Sequence, residues 1–281
     1  MNKDLKEKFA FTLGATHVGI SHNIGGTLRR FAESFTHVGI FHITRRVAFT
    51  LAEVLITLGI IGIVSAMTIP TLINNYQKKV TVTRLQQTYS MLNQAFKMAQ
   101  VEHGDPITWN YPKERSYEAS KDFAKKYLTP YLKINKICGE QTADCIQRDL
   151  KYLNGATLGE LNTTSHYRFI LANGVLVSLI KYSTDNNIIF SVDINASAGP
   201  NTMGKDVFEM LYVTFLPYDH SYFGTNINQL GLYMLGHGRT RESLLTEKYP
   251  CSKAPDVVNA GQHCGALIQL DGWKISDDYP W

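Results

Sequence analysis

One carboxylate, Glu53, stands in an otherwise uncharged run of 25 residues from Phe49 to Ile73, FTLAEVLITLGIIGIVSAMTIPTLI. A carboxylate at bilayer depth costs roughly 2.5–3.5 kcal/mol, so such a group usually has a cationic partner or a task. The other reading places Glu53 near a helix start, close to the interface, where the helix dipole favours an anion. A second set of reactive residues is the four cysteines, Cys138, Cys145, Cys251 and Cys264. None forms a Cys-x-x-Cys pair, which argues against a zinc ribbon or a thioredoxin-type motif. They fall as two local pairs with loops short enough for disulfides, the state expected outside the cytosol. A third set, Asp193, Asn195, Asn201 and Asp206, gathers hard oxygen donors of the kind calcium takes. That loop lacks the spacing and terminal Glu of an EF-hand. The same side chains also stabilise turns by bonding to backbone, with no metal needed.

His263 beside Cys264 could serve as a ligand or in a nucleophile pair, but neither a partner carboxylate nor an oxyanion feature accompanies it. No P-loop, Gly-x-Ser-x-Gly or His-Glu-x-x-His run occurs, and enzymatic activity is not expected. The net charge of +4 is local: residues 1–48 carry seven Lys/Arg and three Asp/Glu, leaving 21 of each sign in the remainder. A balanced body gives no electrostatic sign of a nucleic-acid partner.

These residues need elements to position them. The apolar run is long enough to cross a bilayer as one helix. Arg45 and Arg46 immediately before it predict a cytoplasmic front, with everything after Ile73 on the far side. A removed signal peptide is the competitor, although its apolar core would be shorter and would end at a cleavage site. Gln77, Lys78 and Lys79 follow the run without such a site, and Ser65-Ala66-Met67 is a weak one. Leu85, Tyr89, Leu92, Phe96 and Ala99 then recur at steps of four and three, a helical stripe. Residues 116–132 read as a short helix or turns ending near Pro130. Strand patterns follow at 169–172, 175–180, 188–192 and 207–213, with Asn173-Gly174 as a hairpin signal between the first two. The expectation is an α+β fold with an antiparallel sheet of about four strands covering the stripe. In the front segment Thr16-His17-Val18-Gly19-Ile20 returns as Thr36-His37-Val38-Gly39-Ile40, too few copies for a solenoid.

The string Arg45-Arg46-Val47-Ala48-Phe49-Thr50-Leu51-Ala52-Glu53 resembles the prepilin cleavage and methylation motif of type IV pilins and type II secretion pseudopilins. There a basic leader ends in a small residue, usually Gly where this chain has Ala48. The mature chain starts with Phe and carries Glu as its fifth residue. Glu53 is fifth from Phe49, and Pro70 is the twenty-second, where the family often has a kinking proline. The loop 193–206 is similar to an Asp-x-Asn-Gly…Gly-Pro-Asn…Gly-x-Asp-x-Phe pattern of some pseudopilin-like proteins, with Ala196 in place of Gly. Cys251 and Cys264 resemble the pair closing the C-terminal loop of many pilins.

The resemblance implies residues 1–48 as leader, 49–75 as transmembrane and assembly helix, and 76–281 as an exposed domain that includes the helix's second half. One long helix is implied; a separate amphipathic helix after Pro70 would give almost the same stripe. A prepilin peptidase would cut between Ala48 and Phe49 and methylate the new amine. Glu53 of one subunit would pair with the terminal ammonium of its neighbour, tolerable where each charge alone is costly. The implied partners are other pilin or pseudopilin subunits, the peptidase, an inner-membrane assembly platform and membrane lipid. The implied location is the inner membrane, crossed once, with the domain periplasmic or extracellular. The alternative is a membrane-anchored or pilus-tip module that binds DNA, a surface or a secreted substrate.

Overall fold

The computed structural model describes residues 50–140, 145, 150–159, 165–182, 186–196, 198–214, 228–233 and 239–281. Ala48, Phe49 and the front-segment repeat lie outside the described residues. The chain divides into two compact units, Met1–Val54 and Leu55–Trp281. In the first unit, Thr50 and Glu53 form a reciprocal cap. The Thr50 amide and hydroxyl donate to Glu53 Oε2 at 2.8 and 2.9 Å, and the Glu53 amide donates to Thr50 Oγ1 at 3.2 Å. Such a capping box satisfies donors that a helix start leaves open.

Helix α1 runs from Leu51 to His103 and contains Pro70. It is a single helix, so the stripe after Pro70 belongs to the same element as the apolar run. Its two stretches have different surroundings. From Leu51 to Ile73 the large apolar side chains are exposed on every side. From Thr81 onward one face is buried: Val82, Leu85, Thr88, Leu92, Ala95, Phe96 and Ala99. A helix apolar all round belongs in lipid or a packed bundle, whereas a one-sided stripe belongs on a protein core.

That core is a six-stranded antiparallel sheet whose strands lie in sequence order: β1 (Ile134–Cys138), β2 (Tyr167–Leu171), β3 (Leu176–Tyr182), β4 (Asn187–Asp193), β5 (Val207–Val213) and β6 (Gln229–Leu232). Six strands replace the four expected, and the two additions are the edges. β1 is five residues with alternating burial and a register shift near Lys136. β6 is four residues interrupted by Gly231. Neither carries the apolar run that marks a central strand. The β2–β3 connection is a hairpin at the expected place. Its turn spans Ala172–Gly174, the Leu171 amide donates to the Val175 carbonyl at 2.9 Å, and Gly174 takes φ 84°. Only the glycine adopts positive φ, the arrangement of a three-residue loop and not of a two-residue one.

Phe96 shows how α1 is held on the sheet. Its ring stacks on Tyr212 at 4.0 Å between centroids and meets Phe190 edge-on at 5.8 Å. Asn93 adds a polar tie: its Nδ2 donates to the Leu230 carbonyl and its Oδ1 accepts from the Leu230 amide, both at 3.2 Å. The amide thus completes the outer rim of β6, a sheet edge that would otherwise offer itself for pairing. Helix α2 (Tyr117–Tyr127), capped by Ser116, fills the expected 116–132 region together with a short 3₁₀ turn at Thr129–Tyr131. Two short helices, α3 (Arg241–Thr246) and α4 (Cys264–Leu270), complete the domain.

Candidate functional site

The oxygen-rich loop after β4 is built around one acid. Asp206 is buried, and its two carboxylate oxygens divide their work. Oδ1 accepts the Thr202 amide at 2.6 Å. Oδ2 accepts the Asn201 amide at 2.8 Å and Asn195 Nδ2 at 3.3 Å. Burial pushes the Asp206 carboxyl above the usual carboxylate range, and those three donors pull it partly back. Asp193, the last residue of β4, accepts the Asn195 amide through Oδ1 at 3.1 Å. Of the four expected donors, Asp193 and Asp206 are engaged as acceptors for backbone amides of the turn, Asn195 meets both acids through N–H groups, and Asn201 reaches Asp206 through its backbone amide. Ala196 takes φ 53°, so the left-handed backbone that glycine favours persists with a Cβ in place. No group of three or more His, Cys, Asp or Glu residues able to hold a metal occurs among the described residues.

The loop is backed by a disulfide. Cys251 and Cys264 are joined, as are Cys138 and Cys145, at Cα separations of 4.6 and 6.0 Å. Gly204, at φ 82°, lies against the first of these; a Cβ there would stand 2.6 Å from Cys264 Sγ. The Tyr279 hydroxyl donates to the Gly204 carbonyl from the other side. With Cys264 oxidised, no thiol is present to form a nucleophile pair with His263. The imidazole itself is fully buried, and both ring nitrogens are without a hydrogen-bond partner among the described residues. Burial and the nearby Arg239 push its pKa down to about 4, which keeps the ring neutral.

Beside the loop lies a cleft of about 310 Å³, floored by α1. Tyr76, Gln77, Val80, Thr81 and Arg84 line it from the helix; Ile194, Asn195, Gly199, Pro200, Lys205 and Asp206 line it from the loop; Trp281 closes one side. Arg84 ties the walls together, its Nη1 donating to the Ile194 carbonyl at 3.0 Å. Sequence reasoning identified the loop but missed the cleft, because Arg84, Lys205 and Trp281 are separated by long stretches of chain. Only Tyr76, an amphipathic ring just past the apolar run, was a signal available in one dimension.

The far face of the sheet holds a second unexpected feature. Arg168, Ser178, Ser191 and Glu209 stand opposite one another in register across β2 to β5, and all four are buried. Polar residues at alternate strand positions ordinarily mark a solvated face. Here Tyr182, Tyr233, Tyr249, Asn259 and Gln262 surround that face and leave a cleft of about 170 Å³. A clamp at the domain's end is clearer. Arg241 at the start of α3 grips Asp271 through Nε and Nη2, at 2.7 and 3.0 Å, and Asp278 through Nη1 and Nη2, at 2.6 and 2.7 Å. The guanidinium holds both carboxyls below their usual range.

Of the residues that the pilin resemblance implies for assembly, Glu53 is the third residue of α1 and Pro70 lies within it, where its ring offers no amide to the preceding turn. From Leu51 to Ile73 the helix rises about 35 Å, enough for a hydrocarbon layer of about 30 Å. The segment is long and apolar enough to cross a membrane. No curated protein and no solved structure matches the chain. A family model described as a family of unknown function, DUF6613, matches residues 71–281, the sheet domain together with α1 from Thr71 onward. The chain belongs to the DUF6613 family.

Proposed function

We propose that this protein is a structural subunit, a minor pilin or pseudopilin, of a type IV pilus or type II secretion-type filament. It is made as a precursor and assembled after a prepilin peptidase cuts between Ala48 and Phe49. The observation that carries the reading is the division of labour along α1. Its front stretch is apolar on every side and bears one acid, Glu53, and its rear stretch is one-sided and packs on an antiparallel sheet. A soluble fold gains nothing from exposing the residues between Leu55 and Ile73, whereas a helix that passes from lipid into a bundle of identical helices needs that surface. Glu53 then supplies register: a one-turn slip between neighbouring subunits would leave it and the partner ammonium unpaired.

Mass spectrometry of the N-terminus, on protein isolated from membranes, tests the processing step. A mature chain beginning at Phe49, with or without N-methylation, is the expected result, and an intact front segment refutes it. Glu53→Ala tests the assembly role separately. The variant is expected to insert in the membrane normally and to be lost from filaments; undiminished incorporation would remove Glu53 from the mechanism.

A further inference from the structure

We propose that the cleft between α1 and the 194–206 loop docks the phosphate headgroups of anionic phospholipid, in the leaflet on the globular domain's side of the membrane. The inference rests on the membrane-spanning part of the proposed function and adds to it a preferred lipid.

Position is the first argument. The apolar stretch of α1 ends at Ile73, and the lining residues Tyr76, Gln77, Val80, Thr81 and Arg84 follow it directly. At 1.5 Å per residue they lie about 4–16 Å beyond the last apolar residue. Headgroups and interface occupy about 5–8 Å outside the hydrocarbon on each side. Side chains of a helix lean toward its N-terminus, here back toward the bilayer. The mouth of the cleft is therefore level with the headgroups when α1 spans.

Charge is the second. Arg84 and Lys205 line the cleft, and Lys78 and Lys79 lie on the same turns of α1. Lys253 is near enough to Lys205 for the two ammoniums to repel each other, which with burial lowers the Lys253 pKa. Among the described residues that line the cleft, the one side-chain carboxylate is Asp206, and its oxygens face inward to Thr202, Asn201 and Asn195. The basic side is thus left to an external anion. Polybasic surfaces of this kind attract anionic lipid over a Debye length.

Aromatic rings supply the third. Tyr76 is largely exposed, and Trp281 borders the same cleft. Tyr and Trp concentrate at membrane interfaces because their rings are apolar and their tips polar. Lys253 Nζ donates to the Trp281 main-chain oxygen at 2.7 Å, which brings the C-terminal segment and a further cation to the same place. Two aromatic rings and several cations, at the level where an apolar helix leaves the hydrocarbon, match an anionic interface better than they match water.

The full chain, reconstituted in phosphatidylcholine vesicles with and without phosphatidylglycerol, gives the test. Quenching of Trp281 fluorescence by lipids brominated near the headgroup is read against Trp281→Phe, which reports the background from Trp109 and Trp273. Quenching is expected to rise with phosphatidylglycerol and to fall with salt. Lys205→Gln is expected to reduce the preference for anionic lipid about fivefold, the effect of one basic side chain at such a surface. Arg84→Gln should reduce it too; because Arg84 also ties the loop to α1, Lys205→Gln decides the matter if that variant misfolds. Equal quenching in both vesicles, with the chain resistant to alkaline extraction, overturns the lipid site and leaves the membrane reading intact. A chain released by alkaline extraction overturns both. Loss of the effect on adding inorganic phosphate at matched ionic strength would make this a free-anion site. Appearance only at high protein density would make it a contact between copies, and either result refutes the proposal.

Discussion

Replacing Asp206 by Ala removes the acceptor around which the 193–206 loop is folded. Two strong bonds are lost, from the Thr202 and Asn201 amides at 2.6 and 2.8 Å, and one weaker bond from Asn195 Nδ2 at 3.3 Å. Hydrogen bonds to an ionised group contribute about 1.5–3 kcal/mol each, so the two strong ones amount to about 3–6 kcal/mol. Removing a buried carboxylate also relieves its desolvation, which is large enough here to hold the carboxyl above its usual range and so offsets much of that gain. What remains is the cost of leaving the loop's amide donors unpaired, and the expected net destabilisation is about 1–3 kcal/mol. Asp206→Asn keeps one acceptor oxygen but sets an amide NH₂ against the other donor, and should lose about 1–2 kcal/mol. Urea unfolding of the full chain in detergent, followed by near-ultraviolet circular dichroism, measures both. Losses under about 1 kcal/mol for the Ala variant would show that water replaces the carboxylate and that the loop does not depend on it. The same titration addresses calcium. Because the Asp206 oxygens already hold backbone amides, added calcium is expected to leave the wild-type midpoint unmoved. A rise that Asp206→Ala abolishes would overturn that expectation and make the loop a cation site.

Phe96→Ala should cost about 3–5 kcal/mol, since it empties a site enclosed by Tyr212, Phe190 and Trp109; a loss near 1 kcal/mol would mean the neighbouring rings collapse into the space. His263, held neutral with a pKa of about 4 against an unfolded value near 6.5, binds its proton first in the unfolded chain. Its contribution is therefore present at neutral pH and declines as pH falls from about 6.5 toward 4, by up to about 3 kcal/mol. His263→Gln should flatten the stability profile in that window, and an unchanged slope would exclude the histidine as its source. Ala196→Gly should raise stability by about 1 kcal/mol by removing the Cβ from a left-handed backbone; a decrease would show that the Ala methyl contributes more through packing than its conformation costs.

How far the fold could be read in advance follows from where each signal lies in the chain. The stripe Leu85, Tyr89, Leu92, Phe96 and Ala99 was legible because helical spacing is local, and β2 to β5 because each is rich in β-branched, aromatic and other apolar residues over a strand's length. β1 and β6 were not: Lys136 interrupts one and Gly231 the other, and both are made strands by the neighbours they pair with. The row Arg168, Ser178, Ser191 and Glu209 reads as a solvated face under strand alternation, and its burial shows only in three dimensions, with Tyr182, Tyr233 and Tyr249 lining the cleft at its Glu209 end. Asp193, Asn195, Asn201 and Asp206 were identifiable as a group because they share one loop. Their roles were not, since an oxygen that binds a cation and one that holds a turn have the same spacing. The Arg241 clamp and the Arg84–Lys205 cleft depend on residues far apart in sequence, and no local pattern announces them.

The order of the six strands bears on how the protein is made. Each strand of the described sheet pairs only with its immediate predecessor and successor, so the sheet can lengthen strand by strand in the order in which the chain is made. No strand pairs with one distant in strand order, so the sheet's contacts stay local, most closely between β2, β3 and β4. The disulfides obey the same rule: Cys138 joins Cys145, and Cys251 joins Cys264, each with the next cysteine to emerge. Oxidation of the cysteines in sequence order therefore produces the native pairs directly, and formation of the disulfides is expected to proceed without an isomerase to reshuffle them.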